Sequence, residues 1–345
     1  MTTAADGAVQ LVARWDLDKT YLRTEFDTFS DLLRTAVERP DRKRSVPGAA
    51  ALLREIGKSG ARIHILSGSP RQMRGRLEEK LLIDRVRWDD LTLKPNLGNM
   101  MRLRFRAMRD QLGYKLPMLL AARARDQHAF DANQEVREVL VGDDAEADAF
   151  VYSLYADVCA GKVSRSELSR ILTRGELYPD QAQAALAAFD ELERAPVVRR
   201  ILIHLDRQTP PSKFADYGAR VVPFYNYLQA AFVLAADDCL PAEAVLRVAS
   251  ELVTQHRFDS DALARSYQEL MRRGHLKAGA LPRALLTAQR ALDGRLAGAV
   301  EVERMCEALA ELPAETTHPG LERPALDYLE LAERHRGGRN RHRRR

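Results

Sequence analysis

From Val9 to Trp15 the chain runs Val-Gln-Leu-Val-Ala-Arg-Trp and then turns polar at Asp16-Leu17-Asp18-Lys19-Thr20. An apolar, β-prone run that stops on carboxylates predicts a strand of a parallel sheet, with Asp16 at its carboxyl edge, where open α/β sheets place their ligands. Two later runs end the same way. Residues 62–66 (Arg-Ile-His-Ile-Leu) stop on Ser67-Gly68-Ser69-Pro70, and residues 138–141 (Glu-Val-Leu-Val) stop on Gly142-Asp143-Asp144, followed by Asp148. Between them the apolar positions take helical spacing. Over 25–38 they are Phe26, Phe29, Leu32, Leu33 and Val37; over 48–58 they are Ala51, Leu52, Leu53 and Ile56, with Pro47 in front and Gly60 behind. Strand, helix, strand is the crossover unit of a parallel sheet, so Ser67 is expected at the same edge as Asp16.

The pattern continues with Ser69 as the cap and Pro70 as the first residue of a helix through 79. An inserted strand is expected over 85–93 and an arginine-rich amphipathic helix over 99–111. The 113–117 stretch (Gly-Tyr-Lys-Leu-Pro) reads as a break before a second helix to 125, and 126–134 reads as a loop. A helix over 149–160 and strands over 198–205 and 219–223 complete the alternation. Beyond Tyr225 the spacing is helical only, punctuated by Pro241, Pro282, Pro313 and Pro324. The expected fold is therefore α/β, a Rossmann-like parallel sheet within 1–235. Residues 71–109 would form a small inserted cap, 236–333 a helical C-terminal region and 334–345 a low-complexity tail.

Charge changes this picture at one place. The formal net charge is +5, yet residues 334–345 hold seven arginines and no acid, so the remainder, +5 less 7, is close to neutral. The basicity belongs to a tail suited to an anionic membrane surface or to nucleic acid, or to solubility alone. No aromatic residue is interleaved there for base stacking. Cys159, Cys239 and Cys306 lie far apart, odd in number and without metal-ligand spacing, which fits reduced thiols. No basic-then-apolar leader pattern opens the sequence, and the longest uncharged run, 221–236, is too short and too polar for a membrane span. A cytoplasmic protein with no transmembrane segment is expected, with a peripheral membrane contact open through the tail.

If Asp16, Asp18 and Asp143 meet at one sheet edge, their chemistry is constrained. Two carboxylates about 4 Å apart repel by roughly 4 kcal/mol at an effective dielectric near 20. They require a cation or a raised pKa. Oxygen ligands without histidine or cysteine select a hard ion, and Mg²⁺ is the usual one. A carboxylate can also attack phosphorus. Asp16 would be that nucleophile, and Asp18 could protonate the leaving oxygen and later deprotonate water. Ser67 and a lysine would hold the equatorial phosphate oxygens. The lysine is Lys115 or Lys94; Lys115 is preferred because its helix immediately precedes the Asp143 strand. His64 and His204 read as packed or edge histidines. Phe224, Tyr225, Tyr227 and Phe232 read as core contacts where the C-terminal helices dock.

Taken in order, these residues resemble the haloacid dehalogenase-like (HAD) superfamily over residues 9 to about 160. Asp16-Leu17-Asp18-Lys19-Thr20 matches its first motif and Leu66-Ser67-Gly68-Ser69 its second. Lys115 matches its third, and Val141-Gly142-Asp143-Asp144 with Asp148 its fourth. The resemblance implies Mg²⁺, an aspartyl nucleophile at Asp16 and usually phosphatase activity. It also implies metal ligation by Asp16, by the backbone carbonyl of Asp18 and by Asp143. Thr20 would support the loop, Gly68 belongs to the second motif, and Asp144 or Asp148 would assist. The fourth segment is similar to the phosphatidate phosphatase catalytic-domain family of the yeast actin-patch type, matching at Gly142, Asp143, Asp148 and Tyr152. It departs from that family at Asp144, Ala145, Glu146, Ala149 and Phe150. The implied substrate is a phosphorylated small molecule or lipid head group. The cap arginines Arg102, Arg104, Arg106 and Arg109 would face either that substrate or solvent. The alternative is a catalytically silent module that acts through its helical C-terminus and basic tail.

Overall fold

A computed structural model of the chain describes residues 9–22, 45–94, 108–130, 134–145, 147–292, 294–313 and 325–334. The helix expected over 25–38, the cap arginines Arg102, Arg104 and Arg106, and the tail from 335 on lie outside the described residues.

Among the described residues six strands form one sheet: β1 (Val9–Asp16), β2 (Arg62–Pro70), β3 (Asp90–Lys94), β4 (Glu135–Asp143), β5 (Val198–His204) and β6 (Val221–Phe224). Their order is β3-β2-β1-β4-β5-β6, and every neighbouring pair is parallel. The helices are α1 (Ala49–Lys58), α2 (Arg74–Ile83), α3 (Met108–Asp126), α4 (Asp148–Cys159), α5 (Arg165–Arg174) and α6 (Pro179–Asp190), then α7 (Tyr227–Ala236), α8 (Ala242–His256), α9 (Ser260–Arg272), α10 (Ala280–Leu292) and α11 (Ala299–Ala310). Among the described residues no helix is long and apolar enough to cross a membrane.

Because strand side chains alternate between faces, the sheet sorts its core into two layers. Ala13, Trp15, Ile63, Ile65, Val139 and Val141 point to one face and are covered by α1, α2 and α7 to α9. Leu66, Leu140, Ile201 and Ile203 point to the other, under α3, α4, α5 and residues 328–332. The chain winds outward from β1 to β3 on the first face and returns through β4 to β6, whose connecting helices take the second. Strand order thus reverses between β1 and β4, and a crevice opens past their carboxyl ends.

Three sequence expectations change here. The strand expected as part of an inserted cap pairs with β2, with Leu91 opposite Ile65 and Leu93 opposite Ser67, so 71–94 is part of the main sheet layer. Leu91 and Leu93 are buried, and this apolar alternation is what the edge of the sheet needs. Ser69 and Pro70 end β2; a 3₁₀ turn, Arg71–Met73, follows before α2 begins at Arg74. The break expected at 113–117 is absent, since α3 runs unbroken with Pro117 inside it. Its buried residues Leu112, Leu116, Leu119 and Leu120 outweigh the loss of one helical hydrogen bond. Gly113 serves contact between helices instead. A Cβ there would lie 2.2 Å from Gln181 Oε1 on α6.

The second face also holds a buried ionic cluster that the sequence pattern hides. Arg14 donates to both oxygens of Glu138 on β4 (Nε 2.9 Å, Nη2 2.8 Å) and, through Nη2, to Asp126 at 2.8 Å. Tyr155 donates its hydroxyl to Glu138 Oε2 at 2.6 Å. Burial opposes the charge on Glu138, but Arg14 together with the Tyr155 hydroxyl and Arg123 outweighs it and holds that carboxyl below the usual carboxylate range. The pair clamps β1 to β4, the two strands whose ends flank the crevice. Replacing Arg14 with methionine is expected to cost about 3–5 kcal/mol at pH 7, measured by urea unfolding, because Glu138 is left buried without its cation. A carboxyl with a depressed folded pKa stabilises above its unfolded pKa and loses that contribution as pH falls through the folded value. In the variant Glu138 takes up a proton early instead. The gap between the two proteins should therefore narrow as the pH falls from 7 toward 4.

Candidate active site

Asp16 is the last residue of β1 and Asp143 the last of β4, so the sheet delivers both to the crevice. Asp148 opens α4, one turn of chain after the strand end. All three are buried, and a carboxylate oxygen from each lies within 4.8 Å of the other two. At that spacing two ionised carboxylates repel by about 3.5 kcal/mol at an effective dielectric of 20. Lys115, itself 1% exposed, comes down from the middle of α3. Its Nζ sits 2.5 Å from Asp148 Oδ1 and 3.3 Å from Asp16 Oδ1. Asp148 uses its other oxygen to accept the Asp143 N–H at 3.1 Å, which ties the start of α4 to the end of β4.

Lys115 brings one positive charge to three buried carboxylates. The donor set is all oxygen, and a hard divalent cation fits both the charge and the ligand type. Asp16, Asp143 and Asp148 could hold such an ion.

The loop after β1 supplies the remaining groups. Leu17 N–H donates to the Leu66 carbonyl at 3.1 Å and docks the loop against β2. Thr20 Oγ1 donates to Asp16 Oδ2 at 3.3 Å. The Asp18 carboxylate accepts from Ser67 Oγ at 2.8 Å and from Ser69 Oγ at 3.4 Å, while Ser67 Oγ accepts the Ser69 N–H at 3.0 Å. Tyr114, one residue before Lys115, donates to the Ser67 carbonyl at 2.5 Å, so α3 fixes the serine as well as the lysine.

The Asp18 side chain binds the serine pair, and the three carboxylates that gather closely enough to hold an ion are those of Asp16, Asp143 and Asp148. Asp144 turns away: its oxygens accept from the N–H groups of Arg207 (2.8 Å) and Thr209 (2.9 Å), so it caps the loop after β5. The chain's direction at the strand end forces this, because consecutive side chains there point to opposite sides. Gly68 is not sterically required, as an added Cβ would sit 4.0 Å from Asp18 Oδ2. Lys94 places Nζ 5.4 Å from the Tyr114 ring, and Lys115 is the lysine on the acids. Arg109 lies over the Tyr178 ring at 4.8 Å.

Tyr114 is a part of the site that the sequence analysis does not single out. The sequence carries no motif for Tyr114, although its place beside Lys115 in a helix facing the sheet was a usable signal. Gly142 has a specific reason to be glycine. A Cβ there would fall 2.2 Å from Asp148 Oδ2 and 2.7 Å from its Cγ. Gly142→Ala is expected to cost about 1–3 kcal/mol in thermal or urea unfolding by forcing Asp148 off its place. Mg²⁺ at about 100 times its Kd should stabilise the wild-type chain by about 2.7 kcal/mol. Asp143→Asn should lose most of that gain while folding normally.

No family model matches the chain, and no curated protein or solved structure matches it either.

Proposed function

We propose that this chain is a Mg²⁺-dependent phosphomonoester hydrolase that works through an aspartyl-phosphate on Asp16. One observation carries the reading: buried Asp16, Asp143 and Asp148 converge with Lys115 at the crevice where strand order reverses, with Asp18 and Ser67 beside them. The ordered resemblance of the four segments to HAD-type phosphatases supports the same conclusion.

In this mechanism Asp16 attacks the substrate phosphorus, an O–P bond forms, and the bond to the leaving alkoxide breaks. Asp18, protonated when substrate binds, gives that proton to the leaving oxygen, and as a carboxylate then takes one from the water that attacks phosphorus in the second step, which restores the acid. The Asp16–phosphorus bond breaks, inorganic phosphate leaves, and the Asp16 carboxylate is restored. Mg²⁺ held by Asp16, Asp143 and Asp148 would supply positive charge to the phosphate oxygens. Lys115 adds positive charge beside Asp16, and Ser67 turns its hydroxyl from Asp18 to an equatorial oxygen when substrate binds. Thr20 orients Asp16 through its hydroxyl. The substrate would be a phosphorylated small molecule or lipid head group.

The test is hydrolysis of p-nitrophenyl phosphate. Activity should vanish with a chelator and return with Mg²⁺. Asp16→Asn should lower kcat by about 10³-fold or more with an unchanged circular dichroism spectrum. A folded Asp16→Asn protein that turns over at the wild-type rate would rule out the aspartyl route.

A further inference from the structure

The loop that carries Asp18 and Thr20 is held by residues far along the chain. Tyr227, at the start of α7 and fully buried, donates its hydroxyl to the carbonyl of Thr20, 207 positions away in sequence. Its ring stacks on Trp15 at 5.6 Å and on His204 at 5.5 Å, and Phe224 meets it edge-on at 5.0 Å. His204 brings Nδ1 to 3.3 Å from the carbonyl of Lys19. Lys19 has φ near +60°, a left-handed conformation that a lysine keeps only where its surroundings hold it. Two consecutive loop carbonyls, that of the left-handed residue and that of the next, are therefore met from β5 and α7.

Thr20 makes the grip reach the carboxylates. Its carbonyl accepts from Tyr227 while its hydroxyl donates to Asp16 Oδ2. Trp15, stacked on the same ring, is the residue immediately before Asp16. Gly48, at φ near +81°, makes room for the aromatic side chain: a Cβ there would lie 3.1 Å from Tyr227 Cβ and 3.2 Å from Leu252 Cδ2. Burial first, then Asp143 and Asp16, push the ionisation of the phenol far above its ordinary range. Tyr227 thus remains a hydrogen-bond donor across neutral pH.

We propose that Tyr227 is a positioning residue for phosphoryl transfer, fixing the Asp16–Thr20 loop so that Asp18 stays within proton-transfer reach of the oxygens on the phosphorus that Asp16 attacks. This rests on the proposed phosphatase reading. A general acid works only within hydrogen-bond reach of its oxygen, and displacement by about 1 Å can cost about 100-fold in rate. The helical part of the chain that begins with α7 then contributes to turnover through the loop it holds.

The experiment compares wild type with Tyr227→Phe, which keeps the ring stack and deletes the hydroxyl. Two measurements are made: steady-state kinetics on p-nitrophenyl phosphate with Mg²⁺, and amide hydrogen exchange over residues 17–22. The expected result is a kcat lower by about 10- to 100-fold, with KM within about twofold and an unchanged shape of the pH–kcat profile. Exchange at 17–22 should be at least about tenfold faster, with β2 and β4 unaffected. A general loss of fold would move exchange in the strands as well. An unchanged kcat overturns the proposal, whatever the exchange shows, and unchanged loop exchange overturns it too. If wild type hydrolyses no phosphomonoester, the phosphatase reading falls and the catalytic role with it. Faster loop exchange in Tyr227→Phe would then still establish the clamp as a structural device.

Discussion

Negative charge concentrated out of water is the constraint on which this structure turns. Asp16, Asp143 and Asp148 are each nearly inaccessible, and each would rather be solvated or neutral. A fold keeps such groups together only by meeting them with positive charge, oriented amides and hydroxyls. The chain does all three, with Lys115 between two of the acids, the Asp143 amide on Asp148 and the Thr20 hydroxyl on Asp16. Each partner comes from a different element. The arrangement therefore exists only when the sheet, α3 and α4 have assembled, and local propensity cannot produce it.

Arg14 and Glu138 stand in the same strands as Asp16 and Asp143, and Asp126 joins them from the end of α3. Arg14 meets Glu138 with the bidentate geometry that arginine favours. Arg14 lies two positions before Asp16 and Glu138 five before Asp143, so registration of β1 against β4 is set by a charged pair before the strand ends are reached. One pair ties the strands together on the second face, and the other cluster gathers three acids and Lys115 where the strands end.

Much of this was legible in the sequence because strand ends announce themselves. The switch from apolar to acidic residues at Asp16 and Asp143 placed both aspartates, and the ordered spacing placed Ser67 and Lys115. Three things were not legible. Gly113 and Pro117 looked like a helix break because sequence carries local cost but not the burial of Leu112, Leu116 and Leu120 that overrides it. Asp144 and Asp148 were interchangeable on paper, and only the direction of the chain past β4 sends one to the loop after β5 and the other to Lys115. Tyr227 and His204 looked like ordinary core aromatics, since nothing in a linear pattern reports a hydroxyl or ring nitrogen aimed at a carbonyl some two hundred positions earlier.

Residues 325–334 return from the helical part of the chain to the second face of the sheet. There Tyr328 packs edge-on against Phe150 and donates to Asp157, both on the helix that Asp148 begins. A ribosome making this protein exposes the apolar side of α4 long before the segment that covers it exists. Tyr328 and Asp157 are 171 positions apart, so this part of the seam over α4 closes only after a much later stretch of chain has been made.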